Sequence, residues 1–272
     1  MSSTAARKTF IAPAVIAHDN QKVETMSTSY IYTFAFIMTI VVAALLAGSK
    51  VVLEPIATKN EDIFNKRQIL EAISTPLAKA GQDLASLSDE QVLDIFEKQV
   101  DQAVVSADGE PMDGMMAIDV DMAKERKKPE ADRMYPVYEI NFDGKSFYVF
   151  SVRGTGLWDA IWGNIALQGD MNTVAGVSFD HAGETPGLGA EIKDNASWKA
   201  QFVGKKIYND EGKFVSITAR KGGAIDKEHE VDGLSGATVT ADGVSDMLYK
   251  GLKAYEPYME EAETATTSMN LN

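Results

Sequence analysis

The sequence predicts a mixed α/β (α+β) chain: one N-terminal transmembrane helix, then a soluble domain whose twisted, mostly antiparallel sheet is flanked by helices. Three observations carry this. The run Ile31–Ala47 contains no charged residue. From Tyr138 onward, short β-branched and aromatic segments alternate with glycine-containing turns. Amphipathic helical patterns stand before and after that strand-rich stretch.

The apolar run, with Val51–Leu53 beyond it, spans the roughly 20 residues a bilayer core requires, and we assign residues 29–50 to a transmembrane helix. Ala47-Gly-Ser49 offers small residues that a signal peptidase would accept, but the long segment before it and the length of the apolar run favour a retained anchor. Residues 1–28 form the N-terminal segment, expected in the cytoplasm. Its orientation is not fixed by charge, because Lys22 is matched by Lys50, Lys59, Lys66 and Arg67 on the other side. The span has no ionisable residue within it, so no ion pathway is evident in this chain.

Residues 51–135 read as a helical part of the extramembrane domain. Ile63–Ile73 suits a short amphipathic helix that Pro76 keeps from continuing. A second helix starts at the capping box Ser88/Gln91 and carries Val92, Ile95, Phe96 and Val100 on one face. The stretch Ala107–Arg133, rich in methionine and charge, reads as a solvated excursion.

Residues 136–257 carry the strands: Tyr138–Phe142 and Ser146–Val152 around a tight turn at Asp143-Gly144, then Val174–Phe179 and Phe214–Ala219. A closing helix places Val244, Met247, Leu248, Leu252 and Tyr255 on one face and is expected to stop at Pro257, leaving residues 258–272 as an acidic, then polar, tail.

Composition limits the chemistry. The chain has 272 residues and a net charge of −14, which argues against a nucleic-acid partner. It has no cysteine, so no disulfide or iron–sulfur cluster of its own, and its histidines, His18, His181 and His229, lack ligand spacing, so no metal site is expected. Redox chemistry would have to come from a bound organic cofactor.

Ser235-Gly-Ala-Thr-Val-Thr240 precedes the last helix. A helix N-terminus presents unpaired N–H groups and the positive end of its dipole, which suits a phosphate. The bland alternative is that Thr240 or Ser235 caps the helix. Two glycine-rich stretches, Arg153–Trp158 and Gly183–Gly189, are either plain loops or sites of close ligand approach.

The segment Asp232-Gly-Leu-Ser-Gly-Ala-Thr238, with Thr240 beyond it, resembles the flavinylation motif of the covalent-FMN-binding domains. Together with Asn65–Leu70, Gly154–Trp158, Val174–Val177 and His181–Gly189, it resembles the C-subunit family of the sodium-translocating NADH:quinone oxidoreductases from the anchor to Tyr255. The resemblance implies a single FMN joined through its phosphate to Thr238 by a separate flavin transferase, with no catalytic residue in the chain itself. Gly156, Leu157, Trp158, Glu184, Thr185, Leu188, Gly189, Ser235, Gly236, Ala237 and Thr240 are the expected cofactor-binding residues: Leu157, Trp158 and Leu188 as walls, Glu184 and Thr185 as hydrogen-bonding groups.

It further implies an electron-relay member of a six-part complex in the bacterial inner membrane, with five sister subunits designated A, B, D, E and F and the FMN domain on the periplasmic side. There it would pass single electrons from an iron–sulfur centre to the FMN of the B subunit during NADH-driven quinone reduction coupled to sodium export. Such a chain is one part of a translocase and has no complete activity alone. The FMN subunit of the ferredoxin:NAD electron-transport complex shares the Ser-Gly-Ala-Thr motif and the anchor, and a non-redox anchored assembly protein is the alternative of another class.

Overall fold

The computed structural model describes residues 27–269, with side chains through 262. His18, Lys22 and nearly all of the N-terminal segment expected at 1–28 therefore lie outside the described residues, as does the end of the tail. The described chain falls into two units divided after Ile56.

Helix α1 (Thr28–Glu71) supplies the first unit and the first element of the second. It is the one helix among the described residues long and apolar enough to cross a membrane. Its 44 residues measure about 66 Å at 1.5 Å per residue, so it outreaches a bilayer core. The separate helix expected at Ile63–Ile73 is the end of this element. Pro55 removes one main-chain donor without ending it.

Pro76 does not block a helix either: it sits in the first turn of α2 (Ser74–Lys79), where its missing N–H has no helical partner to lose. Helix α3 (Asp89–Gln99) begins at the capping box, with Ser88 N–H bonded to Gln91 Oε1 at 2.9 Å and Gln91 N–H to Ser88 Oγ at 3.3 Å.

A six-stranded sheet forms the centre of the second unit, in the order β2-β1-β3-β4-β5-β6 with every neighbouring pair antiparallel. Its strands are β1 (Val100–Val105), β2 (Pro111–Met112), β3 (Tyr135–Phe142), β4 (Lys145–Thr155), β5 (Ala160–Gln168) and β6 (Val174–His181). Asp143 and Gly144, at φ 50° and 71°, make the tight β3–β4 turn, matching the twist of the strands they join.

Neither β1 nor β5 is among the strands expected from sequence. The run from Gly163 to Leu167 in β5 is buried throughout. Burial on both faces erases the alternation that marks a strand in sequence. Conversely, the strand expected at Phe214–Ala219 shrinks to β7 (Thr218–Arg220), which pairs in parallel with β8 (Glu230–Asp232); Phe214 makes only an isolated bridge to Tyr208.

Apolar residues pack on both faces of the sheet. On one face Leu70, Ile73, Leu77, Val92 and Phe96 meet Ile140 and Val149. On the other, Val244, Leu248 and Tyr255 of α7 (Thr238–Met269) meet Phe150, Val152 and Ile161, with Trp198 and Phe202 beside Phe179. The short helices α5 (Glu191–Asp194) and α6 (Ala196–Ala200) lead into that cluster.

The last helix runs through Pro257 to Met269, so the stop expected there, and a non-helical tail from 258, give way to a longer helix. Packing explains it: Met259 is buried and Tyr258 lies edge-on to Phe150, so the turn after Pro257 is docked. The excursion Ala107–Arg133 is also better tied down than its composition suggests. It contains α4 (Met122–Glu125), whose buried Glu125 accepts the Met134 N–H and pairs with Lys128.

Candidate functional site

The motif leaves β8 at Asp232 and enters α7 at Thr238. Gly236 has φ +80°, and a side-chain carbon there would stand 2.8 Å from the Gly187 carbonyl, so the loop requires glycine twice over. The Ala241 N–H bonds to the Ala237 carbonyl at 2.9 Å, which makes Ala237 the helix N-cap. Alanine offers no capping oxygen. The amides of Thr238, Val239 and Thr240 have no acceptor among the described residues, the open condition of an uncapped helix start.

The hydroxyl residues divide by environment. Thr240 is fully buried; its Oγ1 donates to Glu184 Oε2 at 2.6 Å and lies 3.3 Å from the Leu188 carbonyl. Ser235 is exposed, before the helix. Neither caps α7. Thr238 is half-buried and lines a cavity of about 520 Å³, opposite Lys221, Gly222 and Gly223 and beside Asp232 and Asp242.

Glu184 is buried in the second glycine-rich loop. Its Oε1 accepts the Trp158 N–H at 2.9 Å and the Asp159 N–H at 3.3 Å, while Oε2 takes the Thr240 hydroxyl. Burial alone would push its carboxyl up, but the Thr240 hydroxyl and the amides of Trp158, Asp159 and Leu157 together hold it below the ordinary glutamate value. The glycines beside it answer to this packing: a side-chain carbon at Gly156 would meet Glu184 Oε1 at 2.5 Å, and one at Gly189 would meet Thr240 Oγ1 at 2.3 Å.

Leu157 and Trp158 occupy the tip of the β4–β5 hairpin, closed by the Gly156 N–H to Asp159 carbonyl bond at 2.8 Å. Leu157, Trp158, Leu188 and Val239 are 37%, 65%, 42% and 53% exposed, an uncovered apolar group around the Glu184–Thr240 bond. Thr185 is exposed, and its carbonyl accepts the Leu188 N–H.

The tertiary fold thus joins Gly156–Trp158, Glu184, Leu188, Gly189, Gly236 and Thr240 into one cluster. Ser235, Gly236 and Thr238 line the adjoining cavity, whereas Leu157, Trp158 and Leu188 do not.

Lys221 and Glu191 escaped sequence reasoning. Lys221 is a basic side chain on the cavity wall, signalled only by Lys-Gly-Gly after a strand. Glu191 accepts the Gly187 and Gly189 amides; the Gly187 bond is the main cause of its depressed carboxyl value. It locks the second glycine-rich loop at the start of α5.

Comparison with known proteins points to one family. The family described as FMN-binding domain matches residues 156–253, spanning the hairpin tip, the second glycine-rich loop and the motif with the first half of α7. The C subunit of the Na(+)-translocating NADH-quinone reductase of Pseudomonas aeruginosa is 33% identical over 82% of this chain and 90% of its own length. That of Haemophilus ducreyi is 30% identical over 90% of this chain and 97% of its own. The crystal structure of the Parabacteroides distasonis C subunit superposes with a TM-score of 0.66 at 33% identity, covering 76% of this chain and 96% of that one.

Proposed function

The chain belongs to the C-subunit family of the Na(+)-translocating NADH-quinone reductases, and from that premise we propose that it carries one FMN, joined by a phosphoester to Thr238 Oγ1, and serves as a one-electron relay in a membrane complex. The observation that carries the assignment is the position of Thr238: a hydroxyl in the first turn of an uncapped helix, opening onto a cavity with a basic side chain.

The residues fit the group. The free amides at the start of α7 suit a phosphodiester's negative charge, and Lys221 offsets the Asp232 and Asp242 carboxylates that line the same cavity. Leu157, Trp158 and Leu188 offer uncovered apolar surface for a large planar ring. Glu184 does its work through the protein: it bolts the hairpin tip to the first turn of α7, fixing both walls relative to Thr238. When bound, FMN supplies one-electron chemistry, and a covalent tether keeps it from exchanging with solution.

The His181 Nδ1 is engaged by the Glu184 N–H, and family membership implies that a separate flavin transferase makes the attachment at Thr238. The relay would lie between an iron–sulfur centre and the FMN of the B subunit, alongside the A, D, E and F subunits. The helix Thr28–Glu71 would anchor it in the bacterial inner membrane with the FMN domain on the periplasmic side.

Protein produced together with its flavin transferase should gain the mass of one FMN, stay yellow through acid precipitation, and lose both in Thr238→Val. Absence of flavin from the wild type, or an adduct that persists in Thr238→Val, would overturn the assignment.

A further inference from the structure

Strand β4 outlasts its neighbour. It pairs with β3 only as far as Phe150, opposite Val137, yet with β5 as far as Thr155. Pro136 has no N–H to continue the ladder, and the Tyr255 hydroxyl instead bridges the carbonyls of Pro136 and Ser151 at 3.0 and 2.9 Å. Because the Gly156 N–H bonds on the β5 side, the alternation of an antiparallel ladder turns the main-chain groups of Arg153 and Thr155 toward the vacant side. There the Arg153 N–H and C=O and the Thr155 N–H have no main-chain partner among the described residues, while the Thr155 carbonyl lies against Gly243 of α7.

This edge forms one wall of a groove of about 460 Å³, separate from the cavity at Thr238, between α7 and the segment around α4. In a chain of net charge −14 the groove is lined by Arg126, Arg133, Arg153, Lys250 and Lys253. Of its three carboxylates, Glu125 is engaged by Lys128 and Asp246 by Lys250, and Glu130 forms no ion pair among the described residues. Arg126 forms no ion pair among the described residues, whereas the Arg153 guanidinium is held 5.1 Å over the ring of Trp162, which lines a different cavity and not this groove.

We propose that this groove receives an extended, acidic segment of another subunit of the complex, which adds to the free edge of β4 at Arg153–Thr155. Main-chain hydrogen bonds to the edge would give affinity, and carboxylates facing Arg126 and Lys250 would set register and partner choice. The competing role for these cations, guarding a bare edge against any strand, requires no partner and leaves the edge open in the assembly. Docking at this edge is independent of the flavin at Thr238.

Amide hydrogen exchange over residues 151–155 distinguishes the two, measured on the full-length subunit alone and in the complex isolated from membranes. The expected result is exchange slowed about tenfold or more on assembly, with that protection lost in the Arg126→Glu/Lys250→Glu variant at unchanged flavin content. Carbodiimide treatment of the complex should join Lys250 or Lys253 to a carboxylate of a sister subunit. Equal exchange in the two states, protection that survives charge reversal, or links confined to Asp246 and Glu256 of the same chain would overturn the proposal.

Discussion

The Thr240 hydroxyl donates to Glu184 Oε2 at 2.6 Å across 56 residues of sequence, and the opposite oxygen of the same carboxylate holds the Trp158 amide. One side chain thereby ties the hairpin tip, the second glycine-rich loop and the first turn of α7 together.

A double-mutant cycle of Glu184→Ala with Thr240→Val tests that tie. Each single change leaves buried polar partners unmatched, at about 1–3 kcal/mol apiece, and the pair should be strongly non-additive. Chemical denaturation measures it; additive losses would mean that the two residues act independently. Glu184→Gln, which retains one acceptor for the Trp158 amide, should lose less than Glu184→Ala.

Gly189→Ala should be among the most damaging single-atom additions. Gly189 sits at φ +146°, and the new carbon would fall 2.3 Å from Thr240 Oγ1 and 2.7 Å from Glu184 Oε2. Strain and overpacking together should cost about 2–4 kcal/mol. Lower thermal stability and reduced flavin loading are the readouts, whereas Gly204→Ala, at φ +83° in open space, should show the strain alone.

Acid should loosen this cluster. Glu184 and Glu191 are both held below the ordinary glutamate value of 4.5. A carboxyl whose folded value is depressed contributes stability that is complete above its unfolded value and is lost as pH falls through the folded one. Stability measured from pH 7 downward should therefore begin to fall near pH 4.5 and keep falling below it, less steeply in Glu184→Gln. A wild-type profile superimposable on the variant's would remove Glu184 from the account.

Tyr255→Phe deletes the hydroxyl that bridges Pro136 and Ser151 while keeping the ring against Phe150 and Tyr135. The loss should be about 1–3 kcal/mol, because the Pro136 and Ser151 carbonyls lose the one hydroxyl proton they share. Denaturant titration should show a lower midpoint with an unchanged slope.

Much of the framework was legible in order along the chain. The long apolar N-terminal helix, the capping box at Ser88, the Asp143-Gly144 turn and the apolar face of α7 are local patterns, and each is set by residues close in sequence. The motif around Thr238 was legible for a different reason: family resemblance supplied the expectation of a covalent flavin, while physics alone supplied an anion-friendly helix start.

Tertiary structure decided what no local pattern encodes. Strand β5 is buried on both faces and so lost its alternation, and Pro257 stayed helical because Tyr258 and Met259 are docked beyond it. Glu184 looked like a flavin contact from its place among glycines; folding gave its oxygens to Trp158, Asp159 and Thr240. Lys221 reached the Thr238 cavity only through the pairing of β7 with β8. The sequence by itself determined which helix start could hold a phosphate; only long-range packing, which brings together groups separated by tens of residues, decided which side chains build the site around it.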